Sequence, residues 1–408
     1  MGLSESLKVL SGYLMPMTEP FFNFAAEFKQ TVNMKQRIVL SVFLMLMTVT
    51  AFCQMNMVAV RGADISWCSE MESQGVKFYD TSGNETDIFA LMKQIGMNTV
   101  RLRVWVAPEG GYGAWCNKAD VLAKAQRAHA QGLDLLIDFH YSDYFADPGR
   151  QTKPAEWAGM TVDELKTAIA QHTKDVLQAL KDDDITPKWV QVGNETNNGM
   201  VWPEGRIDWN ASGMKRWGGY VALSNAGYAA VKEVLPDAKV MVHFPNAKDD
   251  ATTSFREFKT CGGKFDVIGL SHYPDWDTWS DDNTSACENA KKLSDLFHVP
   301  IMFVETGYSN WDEPRAESVM KDLFTKAGDA DCIDGILYWE PQVYGGWSAR
   351  LLQDDDTWKD GKPCTPGRKV SSNGAFTAWG RPAPALLVFG QGASTDIQRV
   401  GMTSTAPI

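Results

Sequence analysis

The sequence predicts a (β/α)8 barrel, and three observations carry that prediction. Eight short runs rich in Val, Ile, Leu and Met recur about every 40 residues, and helical patterning separates them, as a parallel sheet covered on its outer face requires. No linker or charge run divides the region 58–389, which therefore reads as one domain. Several of the runs end in polar, charged or aromatic residues, the polarity expected when strands converge on one functional mouth.

In chain order, residues 58–66 form the first predicted strand and 87–96 a helix, with Gly96 as its stop signal. Strands follow at 99–106, 134–140, 189–195, 239–244, 265–272, 300–305 and 335–340. Helices are expected at 119–132, 161–180, 219–234, 252–259, 286–297 and 314–327. Residues 390–408 are small and polar, carry neither helix nor strand period, and read as a disordered tail.

Before the first strand, Met34-Lys35-Gln36-Arg37 is followed by an apolar run from Ile38 to Met47 and smaller residues up to Gln54. A basic segment, an apolar segment and small residues make a signal peptide over 34–54, so export to the periplasm, the cell surface or the medium is expected. Residues 1–33 then read as an over-extended start. An N-terminal membrane anchor is the other reading of this segment, although the apolar run is short for a span. Phe52 stands before Cys53 where a lipoprotein signal usually has a small residue, which weighs against lipidation.

Of 408 residues, 44% are hydrophobic and 22% charged, with a formal net charge of -12. An acidic chain without Lys/Arg clusters excludes nucleic acid as a partner and disfavours an anionic substrate. Several of the 15 Trp stand beside predicted strand ends and are candidate sugar platforms, while core or rim packing accounts for more than half of them. The seven Cys lack metal-ligand or CxxC spacing. Six remain after Cys53, enough for one or two disulfides of unassigned connectivity in an exported protein.

The chemistry is expected at the mouth. The third strand ends in His140-Tyr141-Ser142-Asp143 and the fourth in Asn194-Glu195. The sixth ends in Ser271-His272-Tyr273-Pro274, the seventh in Glu305-Thr306 and the eighth in Trp339-Glu340. A carboxylate at the end of a buried strand is costly to desolvate unless it has a task. Glu195 and Glu305 are about three repeats apart, which puts them on different sides of the mouth, facing one another. Two such carboxylates fit retaining glycoside hydrolysis, one protonated and one ionised. Spacing alone does not choose between them. Asn194 is a candidate partner for the sugar 2-hydroxyl. His243, a lone His at the end of the fifth strand, reads as a satisfied core residue.

Longer strings sharpen this. They are Arg61-Gly62-Ala63-Asp64, Arg101-Leu102-Arg103-Val104-Trp105, Asp138-Phe139-His140-Tyr141-Ser142-Asp143 with Asp147-Pro148, and Val192-Gly193-Asn194-Glu195. Ser271-His272-Tyr273-Pro274, Glu305-Thr306-Gly307-Tyr308 and Tyr338-Trp339-Glu340-Pro341 complete the set. Together they resemble glycoside hydrolase family 53, the endo-β-1,4-galactanases of a clan of retaining barrel enzymes. Phe145 departs from the family pattern, where a Trp is common, but keeps a ring.

The resemblance implies that Glu195 is the acid/base and Glu305 the nucleophile, with Arg103 holding Glu305 ionised. It implies that Asp138, His140, Asn194, His272 and Tyr273 support the sugar or the carboxylates, and that Trp105, Trp276 and Trp339 offer platforms. It implies a β-1,4-galactan or arabinogalactan substrate, a monomer, and no cofactor for the chemistry. A structural Ca²⁺ near Asp354, Asp356 and Asp360 is expected from relatives of this family, against the plain reading of a solvated acidic turn. The rival readings are another retaining barrel glycanase, such as a β-mannanase or cellulase, and a non-catalytic glycan-binding protein on the same fold.

Overall fold

The computed structural model describes residues 58–108, 114–308, 313–344, 347 and 374–390. Eight parallel strands close on themselves: β1 (Val60–Asp64), β4 (Thr99–Val104), β5 (Asp134–Phe139), β6 (Trp189–Val192), β7 (Lys239–Phe244), β8 (Val267–His272), β9 (Ile301–Thr306) and β10 (Ile333–Trp339). β2 (Phe78–Tyr79) and β3 (Glu85–Thr86) form a small antiparallel pair outside the barrel. The helices are α1 (Cys68–Ser73), α2 (Ile88–Gln94), α3 (Lys118–Ala130), α4 (Val162–Asp182), α5 (Met214–Val234), α6 (Thr252–Thr260), α7 (Trp279–Phe297), α8 (Glu313–Ala330) and α9 (Pro384–Leu387). Each of the eight expected strands is present. Consecutive barrel strands are neighbours, and β1 pairs with both β4 and β10 to close the ring.

Strand alternation divides the buried side chains into two sets. One set points outward and joins the helices in the main core, with Val100, Leu102, Phe139, Val190, Val192, Ile268, Leu270, Ile301 and Phe303 among its members. The other points into the barrel. Its lower part is apolar, built on Val60, Leu136, Met241, Val267, Met302, Val304 and Leu337. Above it, toward the C-terminal ends of the strands, the inward positions turn polar: Asp64, Arg101, Arg103, Asp138, Gln191, His243 and Ser271 are all buried. Apolar filling below and charge above is what leaves the chemistry at the mouth.

β9 breaks the alternation where it matters. Its Cα partners on β8 are Leu270–Phe303 and then Ser271–Glu305, so Val304 is an extra residue in the ladder. Met302 and Val304 already face inward. Strict alternation would then turn Glu305 outward into the helix layer. The bulge re-aims it to the interior.

Helix boundaries differ from the expectation at two N-termini. α5 begins at Met214 rather than 219, with Gly218 and Gly219 inside it. A Cβ at Gly219 would lie 2.1 Å from the Glu204 carbonyl oxygen, so this glycine serves a close approach and not a helix start. α7 begins at Trp279 rather than 286: the run 280–284 is polar and so hides the helical period, yet Asn283 within it is buried against His272. Gly390, assigned to the tail, is buried in the 3-10 turn Val388–Gly390. A Cβ there would meet the Ile95 carbonyl oxygen at 2.1 Å. Residues 391–408, the segments 1–33 and 34–54, and Cys53 and Cys364 lie outside the described residues. Among the described residues Cys68, Cys116, Cys261, Cys287 and Cys332 are unpaired thiols, and no helix is long and apolar enough to cross a membrane.

The start of α2 shows how a local signal becomes a tertiary one. Asp87 caps the helix by accepting from the backbone N–H groups of Phe89 and Ala90. The same carboxylate accepts from Arg127 Nε at 3.1 Å, joining α2 to α3. Burial alone would push this carboxyl up, but Arg127 and the helix N–H groups hold it below the usual range. The Asp87→Ala variant is therefore expected to lose about 1 kcal/mol or somewhat more at neutral pH. Because the folded-state pKa is depressed, the deficit is full above about pH 4 and shrinks as pH falls further. Chemical denaturation of both proteins across pH 3–7 measures it.

Candidate active site

The mouth is built from backbone that leaves the strands in unusual conformations. Glu195 has φ of 47°, Tyr141 48° and Glu340 52°. Left-handed backbone costs a non-glycine residue roughly 1–2 kcal/mol, and it gathers where geometry serves function. Gly193 (φ 85°) begins the turn after β6 that brings Glu195 back over the barrel. Gln151 Nε2 holds that turn from the neighbouring loop, donating to the Asn194 carbonyl at 2.8 Å.

Glu195 and Glu305 meet over one hydroxyl. Ser271 Oγ lies 2.7 Å from Glu195 Oε1 and 3.5 Å from Glu305 Oε2. Those two distances put Glu195 Oε1 and Glu305 Oε2 no more than about 6 Å apart, shorter than the roughly 6.5–9.5 Å that inverting glycosidases need and compatible with the roughly 5–5.5 Å of retaining ones.

Their surroundings are unequal. Glu305 Oε1 takes Arg101 Nη2 at 2.9 Å and Oε2 accepts from Tyr273 Oη at 3.0 Å. Burial, with the Asp138 and Asp64 charges, leaves the Glu305 carboxyl above its ordinary value, while the Arg101 charge and the Tyr273 donor oppose that rise. Glu195 is pushed up by burial and then by the negative charge of Glu305, with Ser271 as its direct opposing donor. Two coupled carboxyls that share one proton thus keep it on Glu195, the member with fewer donors and no ion pair.

Arg101 is the hub, and here the sequence expectation is corrected. Arg103 was expected to hold Glu305; Arg101 does so. Its guanidinium, 1% exposed, reaches Asp64 Oδ2 (3.0 Å), Asp138 Oδ2 (2.8 Å), Glu305 Oε1 (2.9 Å) and Asn194 Oδ1 (2.8 Å). Arg103 instead donates from Nη1 to Glu340 Oε1 at 2.8 Å. It lies over the Trp67 ring at 4.2 Å and the Phe145 ring at 4.4 Å. Two arginines at i and i+2 of one strand share a face, so sequence spacing cannot separate them; the barrel does, because Arg103 leans toward β10. Phe145, the departure from the family pattern, supplies part of this cage.

The other supporting residues divide. Tyr273 reaches Glu305, and burial keeps its phenol protonated as a donor. Asp138 sits on Arg101, and His140 steadies Asp138. His140 Nδ1 accepts from the Ala146 N–H at 2.9 Å, so its ring proton is on Nε2 and is donated to Asp138 Oδ2 at 2.9 Å. Asn194 gives its oxygen to Arg101 and one amide hydrogen to the Ala146 carbonyl at 2.8 Å.

His272 is not in the site. It is 1% exposed, follows inward Ser271 and so points outward, where it bonds Asn283 Oδ1 on α7 at 2.7 Å. Trp105 is 1% exposed and packed edge-on against Trp67 and Phe145, so its face is closed to a sugar. Trp276 is 43% exposed, nearly parallel to Tyr308 and capped by the Arg315 guanidinium at 4.1 Å. Trp339 stands edge-on to Tyr273 with ring centroids 6.3 Å apart.

Sequence reasoning passed over Arg101, Gln191 and Ser271 and set His243 aside. His243 is buried as expected, yet it belongs to the site: its Nε2 lies 2.9 Å from Ser271 Oγ and its Nδ1 faces the backbone N–H of Glu195. Strand period held the missed signal. Arg101, Asp138, Gln191, His243 and Ser271 are all inward positions near the strands' C-terminal ends. Asp354, Asp356 and Asp360 lie outside the described residues. Among the described residues no group of three or more His, Cys, Asp or Glu is arranged to hold a metal ion.

Residues 60–322 match the family model described as Glycosyl hydrolase family 53. The chain belongs to that family. An Endo-beta-1,4-galactanase of Bacillus subtilis (strain 168) is 29% identical over 394 residues, spanning 85% of this chain and 88% of its own length. An Arabinogalactan endo-beta-1,4-galactanase of Cellvibrio japonicus (strain Ueda107) is 30% identical over 342 residues, spanning 77% and 89%. A solved structure from a study of two fungal beta-1,4-galactanases superposes with a TM-score of 0.67 at 27% identity, covering 81% of this chain and 99% of that one. These two curated relatives and this solved structure are matched over 88%, 89% and 99% of their own lengths.

The corrected arginine assignment is testable. Arg101→Lys keeps the charge but loses the fork, and should lower kcat for glycoside hydrolysis by about 100-fold or more, the scale of losing a transition-state donor. Arg103→Lys should cost less, since it does not touch Glu305. Steady-state kinetics of the two variants, with circular dichroism to check folding, make the comparison; equal losses would contradict it.

Proposed function

We propose that this chain is an endo-acting β-1,4-galactanase that works with retention of configuration, with Glu305 as nucleophile and Glu195 as acid/base. The observation that carries this is the unequal carboxyl pair: two glutamates held over one serine hydroxyl, one ion-paired to Arg101 and the other not. Family membership supports the chemistry, and the names of the B. subtilis and C. japonicus relatives support galactan as the substrate class.

In the first step Glu305 attacks the anomeric carbon while Glu195 passes its proton to the departing glycosidic oxygen. Arg101 and Tyr273 keep Glu305 ionised and aimed until the ester forms. With Glu305 then neutral, the like-charge pressure on Glu195 is gone and it can stay ionised. In the second step it takes a proton from water as that water opens the galactosyl ester, and the original configuration returns. Asn194 retains one amide hydrogen for a sugar hydroxyl. Of the three expected platforms, Trp276 and Trp339 keep some exposed surface, and the Arg315 side chain would have to yield for Trp276 to serve.

Export through residues 34–54 belongs to the same reading. It rests on the basic, apolar and small-residue order of that segment. A structural Ca²⁺ near Asp354, Asp356 and Asp360 and a monomeric state are proposed on the family resemblance.

The test uses polymer and activated substrate together. Wild-type protein should make internal cuts in β-1,4-galactan and leave β-mannan and cellulose intact. Glu195→Gln and Glu305→Gln should each abolish galactan cleavage while keeping the fold. Glu195→Ala should still open an aryl β-galactoside whose leaving group needs no proton, and azide should then trap a galactosyl azide of retained configuration. Glu305→Ala should give no such product. Exchange of these two outcomes would reverse the assignment, and galactan cleavage at the wild-type rate in either Gln variant would refute it.

A further inference from the structure

We propose that Ser271, its hydroxyl turned by His243, is a positioning residue that gives its single proton to Glu195 when that carboxylate becomes charged, and so lets one side chain serve first as acid and then as base. The inference rests on Glu195 and Glu305 being the catalytic pair.

The direction of the chain follows from the donors around His243. Its Nδ1 is approached by the backbone N–H of Glu195 at 3.3 Å and by Gln191 Nε2 at 3.0 Å. The orientation of the Gln191 amide is set by its oxygen, which takes Arg101 Nη2 at 3.3 Å. Asn194 Oδ1 also lies 2.9 Å from Nδ1, but it already accepts from Arg101 at 2.8 Å and from Gln191 at 3.1 Å. A proton on Nδ1 would face the N–H of Glu195, and a backbone N–H cannot accept. Nδ1 is therefore the acceptor and the ring proton is on Nε2, where it is donated to Ser271 Oγ at 2.9 Å. Burial and the nearby Arg101 charge push the His243 imidazole well down, so the ring holds one proton and not two.

That leaves Ser271 with one hydrogen and two carboxyl destinations, Glu195 Oε1 at 2.7 Å and Glu305 Oε2 at 3.5 Å. In the resting protein Glu305 bears the charge, but Arg101 and Tyr273 already serve it. Once Glu305 becomes an ester and Glu195 has lost its proton, the charge is on Glu195. The Ser271 bond at 2.7 Å is then charge-assisted and stronger. The groups that face Glu195 are Glu305 from β9 and Asp147 from the loop after β5, which resist its ionisation, and Arg101 from β4, which favours it; Tyr273, after β8, sits across Glu305. Ser271 is the side-chain donor in direct contact with it.

The experiment is the pH profile of kcat/KM on galactan, whose basic limb follows loss of the Glu195 proton. Removing a donor to the charged form raises a carboxyl pKa. Ser271→Ala should therefore move the basic limb to higher pH by about one unit, the scale of one hydrogen bond to a charged group. Ser271→Cys, which keeps the shape with a weak donor, should move it the same way. Ser271→Thr should restore the limb, and His243→Phe should add nothing when combined with Ser271→Ala. A limb that stays in place or moves down in both Ser271→Ala and Ser271→Cys would overturn the proposal, whatever happens to kcat. So would a Thr variant that fails to restore it. If Glu195→Gln still cleaves galactan, the catalytic pair itself is wrong; if Glu195→Gln is dead and the Ser271 limb is unmoved, only this inference fails.

Discussion

The Arg101 guanidinium is the interaction on which the rest of the mouth depends. It is a buried cation against three carboxylates, Asp64, Asp138 and Glu305, and it also takes the amide oxygen of Asn194. Taking such charges out of water costs several kcal/mol for each ion. Only dense pairing makes that tolerable, so each partner must be present and placed. The burial is also what gives the site its power. In a screened, watery cleft, Arg101 would do little to distinguish Glu305 from Glu195. In the barrel interior its reach to one and not the other separates two chemically identical side chains.

Several other features follow from that need for placement. Asp138 can serve Arg101 because His140 steadies it, and His140 is itself held in one tautomer by the Ala146 N–H. Asn194, on the turn that carries Glu195, ties Arg101 to the loop after β5 through Ala146 and Gln151. Glu305 faces Arg101 only because β9 carries an extra residue at Val304. Without the bulge the same sequence position would look into the helix layer. The left-handed backbone at Glu195 and Glu340 belongs with this set, since both residues project from strand ends where ordinary extended geometry would send them elsewhere.

The barrel was legible because its signals repeat. Eight apolar runs at a regular spacing need no tertiary information, and their C-terminal polarity gives the mouth. The short pieces α1, β2, β3 and α9 were not legible, because two to six residues hold too little period to read. At the site, the structure brings together the two glutamates, Tyr273 and Asp138 named from the sequence, but puts Arg101 rather than Arg103 on Glu305 and leaves His272 and Trp105 out. These differences share a cause. Arg101 and Arg103 lie on one face of one strand, and what separates them is which neighbours the closed barrel brings near. His272 and Trp105 sit beside functional residues in sequence, but a strand sends adjacent side chains to opposite faces, and His272 follows inward Ser271. His243 was set aside for the opposite reason. A buried histidine with satisfied bonds looks structural until its partners are known, and its partners are Ser271 and the backbone of Glu195.

On the proposed assignment, the asymmetry between the two glutamates also accounts for a change of role within one turnover. A site that held both carboxyls with equal donors would settle one proton between them and resist moving it. Here Glu305 is supported by an ion pair and a phenol, which suits it to the nucleophile's part in the proposed mechanism. Ester formation then removes the charge that kept Glu195 protonated, and nothing else in the pocket has to move. In the proposed mechanism the change in Glu195 from acid to base is driven by the covalent state of its neighbour, with Arg101 fixed in place throughout. A rigid barrel is suited to that division, because the switch is in charge and the scaffold has only to hold distances.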